Sequence, residues 1–129
     1  MNTKQLLILG ASALASSILG PAVAQETQQY VQMAEIEIDL AQLENYKAAV
    51  SEHAETAIRI EPGVLVLYSV SEKDNPTHIR VFEVYRDTDA YKAHLESPHF
   101  KKYKAVTEKM VKSLKLVQMS PIMLAAKGK

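Results

Sequence analysis

The stretch Glu61 to Asp87, "EPGVLVLYSVSEKDNPTHIRVFEVYRD", reads as two extended segments joined by a short turn, and the rest of the chain arranges itself around it. Glu61-Pro62-Gly63 makes the entry turn, and Val64 to Val70 forms a strand with apolar residues on both faces. "KDNP" supplies a hairpin connection. In "HIRVFEVYRD" the period of two puts Ile79, Val81, Glu83 and Tyr85 on one face and Arg80, Phe82, Val84 and Arg86 on the other. Glu83 is the odd member of its apolar row. Once covered, its carboxyl must be paired, hydrogen-bonded or protonated, and a bond to a neighbouring Tyr, His or Arg at a subunit contact is the expectation.

Upstream, "YVQMAEIEI" from Tyr30 alternates as a strand, with one slip in phase near Ala34. Asp39 then offers an N-cap and Gln42 a capping-box spacing. Leu40, Leu43, Tyr46, Val50, Ala54, Ala57 and Ile58 recur at three and four, which predicts a helix ending near Ile60 with His53 on the margin of its apolar face. Downstream, Asp87 starts a short helix aligning Tyr91, His94 and Leu95. Ser97 caps another with Pro98 at its first position, predicted to run to about Lys112 with Phe100, Tyr103, Thr107, Met110 and Leu114 on one stripe. "LKLVQMSPIMLA" is the last strand, and Pro121 puts part of it at an edge or bulge.

The order is β-α-β-β-α-β, an α+β, ferredoxin-like arrangement with an antiparallel sheet. Helices cover only one face of such a sheet, yet the second strand is apolar on both. A homodimer with the two sheets face to face is therefore expected.

The chain has 129 residues, 47% hydrophobic and 23% charged, a profile of one ordinary folded domain. Its first segment differs: an apolar run from Leu6 to Leu19 precedes Ala22-Val23-Ala24, the pattern of a signal peptide cleaved after residue 24. Residues 25–129 then form the mature domain, exported to the periplasm or beyond, with no stable membrane insertion after cleavage. The chain contains no cysteine, which excludes disulfides and thiol catalysis. Net charge is zero, or about minus one once Lys4 leaves with the leader, so nucleic acid is not an expected partner. The lysines from Lys101 to Lys115 alternate with apolar positions and read as a solvated face.

No HExxH, G-x-S-x-G, phosphate loop or dinucleotide fingerprint occurs. The chemistry is left to histidines, tyrosines and Glu83. His94, on the inner side of a short helix, is placed to act as an acid/base or to donate a hydrogen bond to a ligand. His99, at the second position after the cap, is expected to face solvent. The two histidines would hold a metal only if a third ligand such as Glu83 or His53 converged on them, and their spacing matches no zinc or non-haem iron pattern, so no metal is expected. Tyr68 and Tyr85 each combine an aromatic body with a hydroxyl able to enter a cavity.

"EPGVLVLYSVSE" followed by "FEVYRDTDAYKAHLESPHFKKY" resembles the antibiotic biosynthesis monooxygenase (ABM) family of small dimeric α+β barrels. Its members show an E-P-G turn before a strand, an E-x-W or E-x-Y strand followed by an acidic turn, and an H-x-x-S-x-H-F segment. Glu83, Tyr85, His94, Ser97, His99 and Phe100 occupy the matching positions. The resemblance implies a dimer with a ligand cavity between sheet and helices in each subunit. It also implies cofactor-independent oxidation of quinol-like or phenolic molecules by oxygen, or, in one branch, haem degradation. Tyr85 stands where tryptophan is common, and the chain has no tryptophan, which weakens the haem-degrading reading. The implied roles are His94 and Tyr85 as the catalytic pair, His94 as base or orienting group, with Tyr68, His53, Glu83, His99 and Phe100 around the substrate and no cofactor. A non-catalytic dimer binding a small ligand or haem is the alternative.

Overall fold

The computed structural model describes residues 28–128. The expected signal peptide lies outside the described residues. The elements are β1 (Tyr30–Ile38), α1 (Leu43–Ile60), β2 (Val64–Glu72), β3 (Asn75–Tyr85), α2 (Thr88–Leu95), α3 (Pro98–Thr107) and β4 (Val111–Met119). They form one four-stranded sheet in the order β2-β3-β1-β4, with every neighbouring pair antiparallel. This is the α+β, ferredoxin-like order expected from the sequence. Among the described residues no helix is long and apolar enough to cross a membrane.

The register explains which face is the core. Gln32 pairs with Glu83, Ala34 with Val81 and Ile36 with Ile79, so these side chains point together to the helical side. There Ala34, Ile36, Ile38, Ile79 and Val81 pack against Leu43, Tyr46 and Val50 of α1. Each such Val, Ile or Leu contributes about 1.5–3 kcal/mol by leaving water. The slip in phase read near Ala34 is absent. The ladder to β3 runs from Tyr30 to Glu37 without a break, and the impression arose because Val31 and Met33 serve the outer face while Ile36 and Ile38 serve the inner one.

A second cluster, Ala57, Val64, Tyr85 and Ala90, ties the end of α1 and the start of β2 to α2. Gly63 is required here by close approach. A Cβ at Gly63 would stand 2.6 Å from the Ala90 Cβ, well inside van der Waals contact.

Two expectations about the elements are corrected. The helix from Pro98 stops at Thr107 instead of near Lys112: the Thr107 hydroxyl bonds back to the Tyr103 carbonyl and the Met110 N–H to the Thr107 carbonyl, closing a turn. Met110 then accepts from Asp39 N–H at 2.9 Å, and Leu114 belongs to β4, opposite Ile36. Pro121 falls beyond the strand end. The other correction concerns β2. Val64 pairs with Tyr85 but Val66 with Val84, so an extra residue is inserted at Leu65. From that bulge onward the faces are exchanged. Leu67 and Ser69 face the helices beside Glu83 and Val81, whereas Tyr68 and Val70 face outward and are 61% and 59% exposed.

Candidate functional site

The Ser-Pro step between α2 and α3 builds the centre of the site. Ser97 Oγ donates to the His94 carbonyl at 2.7 Å and accepts from the Phe100 N–H at 3.2 Å, so one hydroxyl closes α2 and caps α3. In an unbroken helix, residues five apart point about 140° away from each other. The break re-aims α3 and turns the ring of His99 back toward that of His94, with centroids 5.9 Å apart. His99 is therefore not solvent-facing: its side chain is 10% exposed, and that of His94 only 2%.

Both rings meet one carboxylate, Glu61, at the C-terminal cap of α1. Glu61 Oε2 lies 2.7 Å from His94 Nδ1 and 2.5 Å from His99 Nε2. An ionised carboxylate only accepts, so each ring donates an N–H to it. With Nδ1 donating, the neutral form of His94 is the tautomer that keeps its lone pair on Nε2. Glu61 was not among the residues singled out from the sequence. The signal for it was present: a carboxylate just past a helix C-terminus is disfavoured by the macrodipole, and the following proline pushes it out of the helix into extended backbone. Such a placement calls for N–H partners elsewhere.

Glu61, His94 and His99 each present a ligand-type atom, all within 4.8 Å of one another, and among the described residues they are the group able to hold a metal. The third group is neither Glu83 nor His53, the two suggested by the sequence. Glu83 is held apart, accepting from the Tyr85 hydroxyl at 2.6 Å and from Gln32 Nε2 at 3.3 Å. Burial raises its pKa, and these two hydrogen bonds pull it part of the way back. Its partners thus include the expected tyrosine, from its own strand.

A cavity of about 60 Å³ lies between sheet and helices, lined by His53, Leu67, Ser69, Val81, Glu83, His94, Phe100 and Tyr103 among others. Against it, between α1 and α3, opens a groove of about 360 Å³ bordered by Asn45, Ala49, Glu52, His53, His99, Lys102 and Tyr103. His53 and Tyr103 belong to both walls. Their rings stack at 4.8 Å and 23°, and the Tyr103 hydroxyl lies 2.6 Å from that of Tyr46. His53 is buried with Nδ1 unpartnered. Burial first, then the neighbouring His94 and His99, lower its pKa to about 4, so it is neutral at pH 7. A depression of about 560 Å³ at the start of β1, around Tyr30, Asp87 and Met119, is larger but contains no histidine.

The remaining sequence candidates fall into place by geometry. Phe100 lines the inner cavity, its ring 5.2 Å from that of His94. Tyr85 is fully buried, 5.3 Å from the His94 ring, and touches the cavity only through Glu83. Tyr68 is a correction: the bulge at Leu65 places it on the outer face of the sheet, and Leu67 and Ser69 take its place at the cavity.

The sequence profile described as antibiotic biosynthesis monooxygenase matches residues 29–106, which include each of these side chains. The chain belongs to the antibiotic biosynthesis monooxygenase family. Among solved ABM-type structures, a candidate antibiotic biosynthesis monooxygenase from Bacteroides thetaiotaomicron is 45% identical, with a TM-score of 0.75 over 79% of this chain and 97% of that one. A candidate monooxygenase from Lactobacillus acidophilus is 30% identical, with a TM-score of 0.70 over 71% of this chain but 44% of its own longer one. A third, from Caulobacter crescentus, is 19% identical at a TM-score of 0.71 and speaks for the fold alone. None of the curated proteins matches the chain.

Proposed function

We propose that this ABM-family protein is a monooxygenase that oxidises quinol-like or phenolic small molecules with molecular oxygen and no cofactor, working as a homodimer outside the cytoplasm. The observation that carries the reading is the His94–Glu61 pair, with His94 at the wall of a small cavity that adjoins a ligand-sized groove. Ligand pockets usually measure roughly 300–1,000 Å³, and the groove falls in that range. The inner cavity is too small for an aromatic ring but admits a molecule the size of oxygen or water. A ring in the groove would meet the inner cavity at His53 and Tyr103.

In this scheme the ring lies in the groove with its hydroxyl reaching past His53 and Tyr103 into the inner cavity. There His94 Nε2 removes the phenolic proton, and Glu61, already hydrogen-bonded to Nδ1, stabilises the imidazolium that results. The phenolate passes an electron to oxygen, and recombination forms the new carbon–oxygen bond. For a hydroquinone the balance is quinol plus oxygen giving hydroxyquinone plus water: the ring is oxidised, oxygen is reduced, and the two lost hydrogens leave in the water. The protein contributes the base, the position of the ring and the exclusion of bulk water. Tyr85 acts one bond away, as a positioning residue for Glu83. The outward-facing Tyr68 and Val70 supply apolar surface for a second copy, and the leader-like residues 1–24 support export.

The test is oxygen uptake by metal-stripped protein on a panel of hydroquinones and naphthols, beside His94→Ala. Uptake above the autoxidation blank that survives chelation and falls at least about 100-fold in the variant supports the reading, in line with the usual worth of a general base. Unchanged uptake in His94→Ala, or none above the blank on any member, overturns it.

A further inference from the structure

We propose that Glu61, His94 and His99 form a binding site for one divalent first-row transition ion such as zinc, cobalt or iron(II). Two imidazole nitrogens and one carboxylate oxygen are the donor set such ions favour, and three protein ligands leave a position open to water or a small anion. The donors come from three separate segments, the cap of α1, α2 and α3, yet lie within 4.8 Å of one another. They are also largely covered, with side-chain exposures of 16%, 2% and 10%. Surface clusters that merely share solvent rarely meet both conditions.

Second, independent support comes from His53. Its Nδ1 is buried and unpartnered, and its ring lies 5.0 Å from that of His94 and 5.7 Å from that of His99. A buried polar atom without a partner is uncommon in folded proteins. A water on the ion's open position would be a partner of the right kind.

The donor atoms span up to 4.8 Å, so the two imidazole nitrogens must close by as much as about 1.5 Å while the carboxylate retreats. Metal–nitrogen and metal–oxygen bonds of about 2.0–2.2 Å place tetrahedral ligands roughly 3.3 Å apart. Glu61 Oε2 now stands 2.7 Å and 2.5 Å from the two nitrogens, so the ion would press the carboxylate back by less than about 1 Å. Glu61 follows the end of α1, where its side chain has room to retreat.

Protonation follows from the ligation. An ion takes the lone pairs of His94 Nδ1 and His99 Nε2, so each neutral ring carries its proton on the other nitrogen. His94 Nε2 then becomes a donor and is no longer a base. Metal occupancy and proton abstraction by His94 exclude each other, and the ion would therefore inhibit the oxidation proposed above. The site itself rests on donor geometry and does not depend on that reading.

Cobalt(II) is the probe, because tetrahedral or five-coordinate N/O ligation gives visible absorption bands that need no turnover. Titration of the stripped protein is expected to saturate at one equivalent per chain. Glu61→Gln and His99→Ala should each weaken binding at least tenfold, with folding of each variant verified by circular dichroism. His78→Ala serves as control. It removes the imidazole between Glu37 and Glu72 on the other face of the sheet, and should leave the titration unchanged. Absence of the bands at millimolar cobalt, or one-equivalent binding retained in both folded variants, overturns the site. Loss of binding only in His78→Ala would assign the ion elsewhere and overturn it too.

Discussion

Replacing Gly63 by alanine tests how α2 is seated against the turn after α1. The new Cβ would stand 2.6 Å from the Ala90 Cβ, where carbon atoms ordinarily approach to about 3.5–4.0 Å. The overlap of about 1 Å is between backbone-borne methyls, so no rotamer can relieve it and the helix must shift. Overpacking of this kind costs about 1–3 kcal/mol, a fall in Tm of about 5–20 °C for a domain this size. Ala90 lies one turn before His94, so the same shift draws His94 away from Glu61 and should lower any His94-dependent activity. Thermal unfolding followed by circular dichroism measures the first effect. Gly128→Ala is the control, since a Cβ there meets nothing within 4 Å. Ala90→Gly supplies the decisive cycle: the double variant should be less unstable than the sum of the singles by at least about 1 kcal/mol, because it removes the methyl that Gly63→Ala strikes. A Gly63→Ala Tm within about 2 °C of the parent, or strictly additive singles, would refute the reasoning.

Further predictions concern the buried polar groups and the outer sheet. With His53 held near a pKa of 4 in the fold and near 6.5 in the unfolded chain, the unfolded state binds more protons between those values, so stability falls as pH drops from 6.5 to 4. The loss is on the order of 3 kcal/mol, and His53→Phe should flatten that limb in urea titrations at a series of pH values. Tyr85→Phe removes the 2.6 Å bond that favours the Glu83 carboxylate, so the Glu83 carbon resonance should titrate at higher pH than in the parent. Tyr68→Ser, on the outer face, should leave any His94-dependent oxygen uptake within about twofold while weakening self-association seen by sedimentation; uptake lost in the intact dimer would return Tyr68 to the cavity.

The parts of the fold carried by local chemistry were legible. Asp87 and Ser97 cap where their side chains said they would, whereas Asp39 caps only a 3₁₀ turn at Leu40–Gln42 ahead of α1 and forms no capping box with Gln42. The alternation of Ile79, Val81, Glu83 and Tyr85 fixed the inner face of β3. What escaped was set by tertiary register. No residue type announces the extra residue at Leu65, since glycine-free bulges follow from how two strands must twist together, and that single insertion reversed the reading of Tyr68. His99 was misjudged because position within a helix was used without the angle between helices. Glu61 was passed over because the E-P-G turn was read only for its backbone, though its carboxylate is the group on which both histidines converge.

That convergence divides the site along the chain. Glu61 and His53 precede the hairpin tip at Lys73 and Asp74, whereas His94, His99, Phe100 and Tyr103 follow it. Neither fragment from a cut at that tip would carry the whole constellation, and β1 of the first fragment must slot between β3 and β4 of the second to rebuild it. Any molecule or ion held by both halves then acts as a fastener for the whole domain. At a hundredfold excess over its Kd it would add about 2.7 kcal/mol to global stability. Reassembly of two separately made halves, accelerated or tightened by a candidate ligand, becomes a screen for occupants of the site that requires no knowledge of the reaction.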